Sequence, residues 1–201
     1  MNDQWPRRVA SLLGAALLVG LAGCGNKSTP PPPGLAAPAA PPATSAPLPP
    51  RPVELKLDGI DPCSLLTAAE QGQLGVKQVG RDDNSDELGS AACQWGNNGG
   101  RPDNLWLARL IVKRGADYAL GSTSGVRVVQ VDDFTAVQTA APYQDPKTNC
   151  VVVVDVAPAQ SLGVQYANFA GDYPGISHDV ACQLDRRAAE FMVQNLRVLA
   201  R

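Results

Sequence analysis

Histidine occurs once in this 201-residue chain, at His178, so any imidazole chemistry has a single place to happen. No G-x-S-x-G nucleophile elbow is present, and Gly121-Ser122-Thr123-Ser124-Gly125 has the wrong spacing for one. C-x-x-C is also missing, which removes the usual signature of a thiolate metal site. Basic residues are in no excess, with 17 Lys and Arg against 19 Asp and Glu, which argues against nucleic acid or an anionic membrane surface as a partner. Aromatics are only 5% of the sequence while Val and Ala are abundant, a balance that points to a sheet-rich core. No internal repeat is evident. The apolar segment from Val9 to Leu21 is about 13 residues long, short of the roughly 20 that a spanning helix needs.

That short segment has the layout of an export signal. Arg7 and Arg8 supply the positive start and Val9 to Leu21 the apolar stretch. Leu21-Ala22-Gly23-Cys24 closes it as a lipobox. The small residues before Cys24 let a peptidase approach the backbone, and the thiol is the nucleophile for thioether attachment of diacylglycerol. Cleavage leaves Cys24 as an N-terminus that takes a further N-acyl chain. At about 0.8 kcal/mol per buried CH₂, two or three chains anchor far more firmly than one. The expectation is a lipid-anchored protein on the extracytoplasmic side of the cell membrane, with no cofactor beyond the covalent lipid.

From Gly25 to Pro52 the composition is dominated by Pro, Ala, Ser and Thr, including Pro30-Pro31-Pro32-Pro33 and Pro49-Pro50. Such a segment favours extended polyproline II and has a reach on the order of 90 Å at about 3.1 Å per residue. The organisation expected is a signal peptide over 1–23, a lipidated cysteine and stalk over 24–52, and one globular domain over 53–201. Removing Arg7, Arg8 and Asp3 with the signal leaves 15 basic and 18 acidic residues, a balance of −3.

Four cysteines follow Cys24: Cys63, Cys93, Cys150 and Cys182. An even number in an exported domain reads as two disulfides with three allowed connectivities. The pairing Cys63 with Cys93 and Cys150 with Cys182 is favoured because each pair ties a helix to a strand. Each closes a loop of about 30 residues, for which the chain-entropy model gives roughly 3.5–4 kcal/mol. A four-thiolate metal site is disfavoured by the wide spacing.

Local patterns predict an α+β domain. Thr67-Ala68-Ala69-Glu70 fits a capping box for a short helix over about 67–73, with Leu65, Leu66 and Leu74 beneath it and Gly75 as a left-handed stop. Polar residues 81–90 read as a loop, 91–96 as a strand, and Asn97-Asn98-Gly99-Gly100 as a turn. Further strands are expected at 105–113, 126–131 and 134–140. The Val-rich run 150–156 is the clearest buried strand, and it pairs through the turn 158–161 with 162–168. A helix over 178–199 places Val180, Leu184, Ala188, Phe191 and Met192 on one face and Asp185, Arg186, Arg187 and Glu190 largely outside it. The result is an antiparallel sheet with a short N-terminal helix and a long C-terminal helix packed on it.

Several of these elements together resemble a known family. They are Asp61-Pro62-Cys63-Ser64-Leu65-Leu66-Thr67, Ala92-Cys93-Gln94-Trp95, Cys150 opening a strand that ends in Asp155-Val156, Gln160-Ser161-Leu162, and Cys182 on the terminal helix. The chain is similar over nearly its whole length to lipoproteins of high-GC Gram-positive bacteria grouped as domain of unknown function 3558. Where that family often has Gly-aromatic-Pro-Ala-Val, this chain has Asp133-Phe134-Thr135-Ala136-Val137. The resemblance implies an exported scaffold and brings no catalytic residues with it.

Candidate chemistry is sparse. His178 beside Asp179 at a helix start is the one place for a Ser/His/Asp arrangement, although a lone histidine at a helix end is usually structural. Asp82-Asp83-Asn84-Ser85-Asp86-Glu87 begins like a calcium loop, but Glu87 stands where a Gly is needed and Cys93 where a bidentate Glu is needed. Trp106, Tyr118, Tyr143, Tyr166, Phe169 and Tyr173 are groove candidates. Tyr166, Phe169 and Tyr173, on a stretch rich in Asn, Gly, Asp and Pro, form the best candidate loop for a ligand or partner. The function expected is a non-enzymatic binding or assembly module for envelope proteins, lipids or wall components. The alternative is a wall- or lipid-processing hydrolase using His178.

Overall fold

Asp61 accepts a hydrogen bond from the Cys63 amide at 2.9 Å and starts the 3₁₀ turn Pro62–Leu65. The computed structural model from which this and all later geometry comes describes residues 47–82, 90–97, 99–100, 102–121, 125–140, 148–169 and 174–201. The capping box forms as expected: Glu70 Oε2 accepts from the Thr67 amide at 2.7 Å, and Thr67 Oγ1 accepts from the Glu70 amide at 3.4 Å. Helix α1 spans Ala68–Leu74 and ends at Gly75, whose φ of 71° is the left-handed stop anticipated for it. Leu65, Leu66 and Leu74 are buried below.

Seven strands among the described residues make one antiparallel sheet. They are β1 (Gln78–Asp82), β2 (Ala91–Gly96), β3 (Asn104–Ile111), β4 (Arg127–Val131), β5 (Phe134–Thr139), β6 (Asn149–Ala157) and β7 (Gln160–Asn168). Their order is β1-β2-β3-β7-β6-β5-β4. β1 is not legible in the sequence, and the loop expected from residue 81 therefore begins too early. Its only large apolar residue is Val79, half exposed on an edge strand, so no alternation marks it and the strand depends on pairing with β2. The turn joining β6 to β7 is tighter than expected, with Ala159 at a positive φ of 54°. A 3₁₀ segment Ala116–Gly121, also unforeseen, buries Ala116 and Ala119 against Val137 and Val153 on one face of the sheet.

Helix α2 (His178–Leu199) covers the other face, over β6 and β7, and has the bounds expected. Both favoured disulfides are present, Cys63–Cys93 and Cys150–Cys182, with Cα atoms 5.1 and 5.0 Å apart. The second fixes the rotation of α2 and corrects the expected face. Ala181, Cys182, Ala188, Ala189, Met192, Val193 and Leu196 point at the sheet, while Val180, Leu184 and Phe191 are only partly buried. Asp185, expected outside, is completely buried because it shares the stripe of Cys182 and Ala189 at helical spacing. Burial pushes its carboxyl well above the ordinary range, and the Val152 amide offsets only part of that. Neither oxygen is in a hydrogen bond of good geometry among the described residues; the Val152 amide is the polar group that acts on the carboxyl.

The stalk does not stop packing at Pro52. Leu48 rests on the small apolar cluster of Ala116, Ala119, Val137 and Val153, and Arg51 Nε lies 3.1 Å from Asp155 Oδ2. Domain contacts thus reach back at least to Leu48, several residues earlier than composition indicates, because a Pro-rich segment gives no hydrophobic pattern to read. The chain then crosses to the helix face, where Leu55 and Leu57 are buried in the main core. The Leu55 amide donates to the Val156 carbonyl at 2.8 Å, at the end of β6 where it turns into β7. The opposite end of the sheet, where β6 begins at Asn149 and β3 at Asn104, is roughly 26 Å away at about 3.3 Å per residue.

Candidate functional site

At that far end, a pocket of about 370 Å³ opens between α1, the β2–β3 connection and the outer side of α2. Local rules place each wall. Gly75 terminates α1, and the Lys77 amide then donates to Gly96 O at 2.9 Å to lead the chain into β1. Asn97 closes the β2–β3 turn, with its Nδ2 donating to Pro102 O at 3.1 Å. Asn104 and Trp106 come from the first residues of β3, and Leu184 and Arg187 from the partly buried flank of α2. Strand alternation puts Trp106 on the helix side, where its ring meets that of Tyr166 edge-on at 5.2 Å.

The floor is rich in buried polar atoms without partners. Asn97 Oδ1, Asn104 Oδ1 and Trp106 Nε1 in the lining, and the hydroxyl of Tyr166, the cross-strand neighbour of Trp106, make no hydrogen bond among the described residues, whereas buried polar groups are ordinarily paired. Burial holds the Tyr166 hydroxyl above its usual pKa, and the Asn104 side chain beside it offsets part of the shift without reaching good hydrogen-bond geometry. At the rim stand Lys77 and Arg187, with no Asp or Glu among the described lining residues. Arg187 is steadied by neutral groups, Gln73 Oε1 at 3.2 Å and the Phe191 ring at 5.7 Å. The arrangement offers two positive charges, two acceptors and a donor around an apolar wall, with no nucleophile and base in contact.

A larger groove, about 680 Å³, lies at the stalk end between residues 47–51 and the segment 113–118. Size alone would favour it, but its charges oppose one another. Arg51 faces Asp155, and Lys113 and Arg114 share the lining with Asp117. Burial raises the pKa of Asp155, while Arg51 and the Ala116 amide pull it back down. The groove mixes three basic side chains with two acidic ones, whereas the smaller pocket has no acid among its described lining residues and is the better candidate.

The residues singled out in the sequence fall in several places. Cys24, Tyr143 and Tyr173 lie outside the described residues. Tyr166 is not on a loop: β7 continues through it, and its side chain is fully buried between its cross-strand neighbours Trp106 and Cys150. Phe169 leaves the end of β7 and is 58% exposed. His178 has its Nδ1 3.1 Å from the Asn149 carbonyl and its Nε2 3.6 Å from the Cys182 sulfur. Both ring nitrogens thus face structural groups, and the ring braces the Cys150–Cys182 bridge. Of the acidic stretch 82–87, only the Asp82 backbone is described, and no group of three or more His, Cys, Asp or Glu able to hold a metal occurs among the described residues. None of the described helices is long and apolar enough to cross a membrane. Among the described residues Trp106 is the one aromatic candidate that lines the far-end pocket; Lys77, Asn97, Asn104, Leu184 and Arg187 carry no local signal of a site that sequence reading would find.

No curated protein and no solved structure matches the chain. A family model does match, over residues 19–195. That span takes in α1, all seven strands, both disulfides and most of α2, and with it every wall of the pocket. The chain therefore belongs to the family described as protein of unknown function (DUF3558).

Proposed function

We propose that the protein is an exported lipoprotein, held at the outer face of the cell membrane by acylated Cys24, whose domain is a non-enzymatic binding module. The ligand or partner, an envelope protein, lipid or wall component, is taken at the far-end pocket. The observation that carries this reading is the gathering there of unopposed cations and unpaired buried polar atoms. At the stalk joint, by contrast, Arg51 has Asp155 as an ion-pair partner. Support for the tether comes from the order of Arg7-Arg8, the apolar stretch, Leu21-Ala22-Gly23-Cys24 and the Pro-rich stalk. The stalk joins the domain at the end of the sheet away from the pocket, which favours presentation of the pocket outward. Two disulfides suit an oxidising compartment.

The test is in-cell proximity crosslinking from the wild-type protein and from Cys24→Ser. Crosslinked partners should disappear and the protein should leave the membrane fraction when the anchor is removed. An unchanged partner set and unchanged fractionation would sink the tethered-module reading.

A further inference from the structure

We infer that the far-end pocket takes a small ligand bearing an anionic group, a carboxylate or phosphate, on a compact apolar body; this rests on the reading of the domain as a binding module. Charge is the first ground. Among the described residues the lining carries Lys77 and Arg187 and no carboxylate, in a chain whose acids outnumber its bases by 19 to 17. Lys77 makes no ion pair among the described residues. Arg187 is oriented by Gln73 and Phe191 without being neutralised. A cation would meet two like charges, and a neutral ligand would leave both unanswered.

The second ground is the pattern of polar atoms. Asn97 Oδ1 and Asn104 Oδ1 are unpaired acceptors, and Trp106 Nε1 is an unpaired donor, so a ligand with its own hydroxyl or amide edge relieves groups that folding leaves unpaired. Leu74, Pro102 and Leu184 supply apolar wall. Size is the third ground. About 370 Å³ holds roughly a dozen waters at about 30 Å³ each, which fits a small molecule or a lipid headgroup and excludes a diacyl lipid as a whole.

The experiment titrates the full chain carrying Cys24→Ser with 1-naphthyl phosphate and with its uncharged counterpart 1-naphthol, by calorimetry. The phosphate ester should bind about tenfold tighter or better, the scale of one charge-assisted hydrogen bond. Lys77→Gln and Arg187→Gln should each shrink that preference by about three- to tenfold. Equal binding of the two compounds, no binding of either, or a preference untouched by both variants overturns the ligand class. Leu184→Trp, which fills the pocket, separates this from failure of the underlying reading. Loss of binding of both compounds keeps the site, whereas unchanged binding of both removes the pocket from the binding-module proposal. Competing vesicles identify the source of the anion. Displacement by phosphatidylcholine containing phosphatidylglycerol, but not by phosphatidylcholine alone, assigns a lipid headgroup; displacement by neither assigns a free or wall-borne ligand; and equal displacement by both overturns the anion requirement.

Discussion

The two ends of the sheet are built from the same strands and treated oppositely. At the stalk end Gln160 serves two partners, accepting from the Leu57 amide and donating to Asp58 Oδ2, both at 2.8 Å. Ser161 Oγ donates to Arg114 O at 3.0 Å, and Arg51 sits on Asp155. At the far end Asn97, Asn104, Trp106 and Tyr166 each leave a buried polar atom unpaired, beside cations with no acid opposite, among the described residues. Consistency between levels is the rule in folded proteins, and local breaches of it concentrate where a protein does something besides fold. The side chains at one end of this sheet largely answer one another, and those at the other do not, which is the ground for proposing a ligand there.

The contrast can be broken most forcefully at the bridge holding α2 beside the far end. Replacing Cys150 and Cys182 together by Ser should cost about 3.5–4 kcal/mol in urea unfolding. Hydrogen exchange should rise first in the opening turns of α2, while the Leu55 amide at the stalk end stays protected. A uniform rise over both ends would show that they are not separable.

Asp185→Leu tests whether unpaired polar atoms on the helix side are a burden in general. The carboxyl has a folded pKa raised well above the unfolded 3.8, so the native state holds a proton that the unfolded chain releases. Wild-type stability therefore falls as pH rises from about 4 toward the raised value. The substitution removes that slope, and the gain should be about 1–3 kcal/mol at pH 7, shrinking as the pH approaches 4. Melting curves at both pH values check this, and a gain independent of pH would mean that the carboxyl is not the cause.

The finest comparison pairs Gln160→Ala with Asn104→Ala. The first strands the Leu57 amide and should cost about 1–2 kcal/mol. The second removes a side chain whose Oδ1 bonds to nothing in the described structure and should cost less than the first. Equal losses in chemical denaturation would erase the difference between the ends.

Much of the fold was legible because its signals are local. The capping box at Thr67, the stop at Gly75, the Val-rich run of β6 and the bounds of α2 each depend on neighbours in sequence, and the cysteine pairing followed from which elements carried each thiol. What failed depends on rotation and on neighbours distant in sequence. Asp185 looks solvated on a helical wheel until the Cys150–Cys182 bridge turns the helix, and Val79 marks no strand until β2 lies beside it. Tyr166 looked like part of a loop because polar and glycine residues follow it, although its own strand alternation places it in the core. The pocket was the least legible feature, since Lys77 and Arg187 meet only after the sheet brings α1 and α2 to one side. Trp106 alone drew attention, and only as one aromatic among six.

The way the stalk is fastened has a mechanical consequence. Tension arriving through residues 47–52 passes first to Arg51 on Asp155 and then to Leu55 beside Val156, so it is delivered to β6, a strand hydrogen-bonded on both sides. Neither helix is in that line. A pull on residues 47–52 is spread through the frame of the sheet before it reaches the walls of the pocket at the other end.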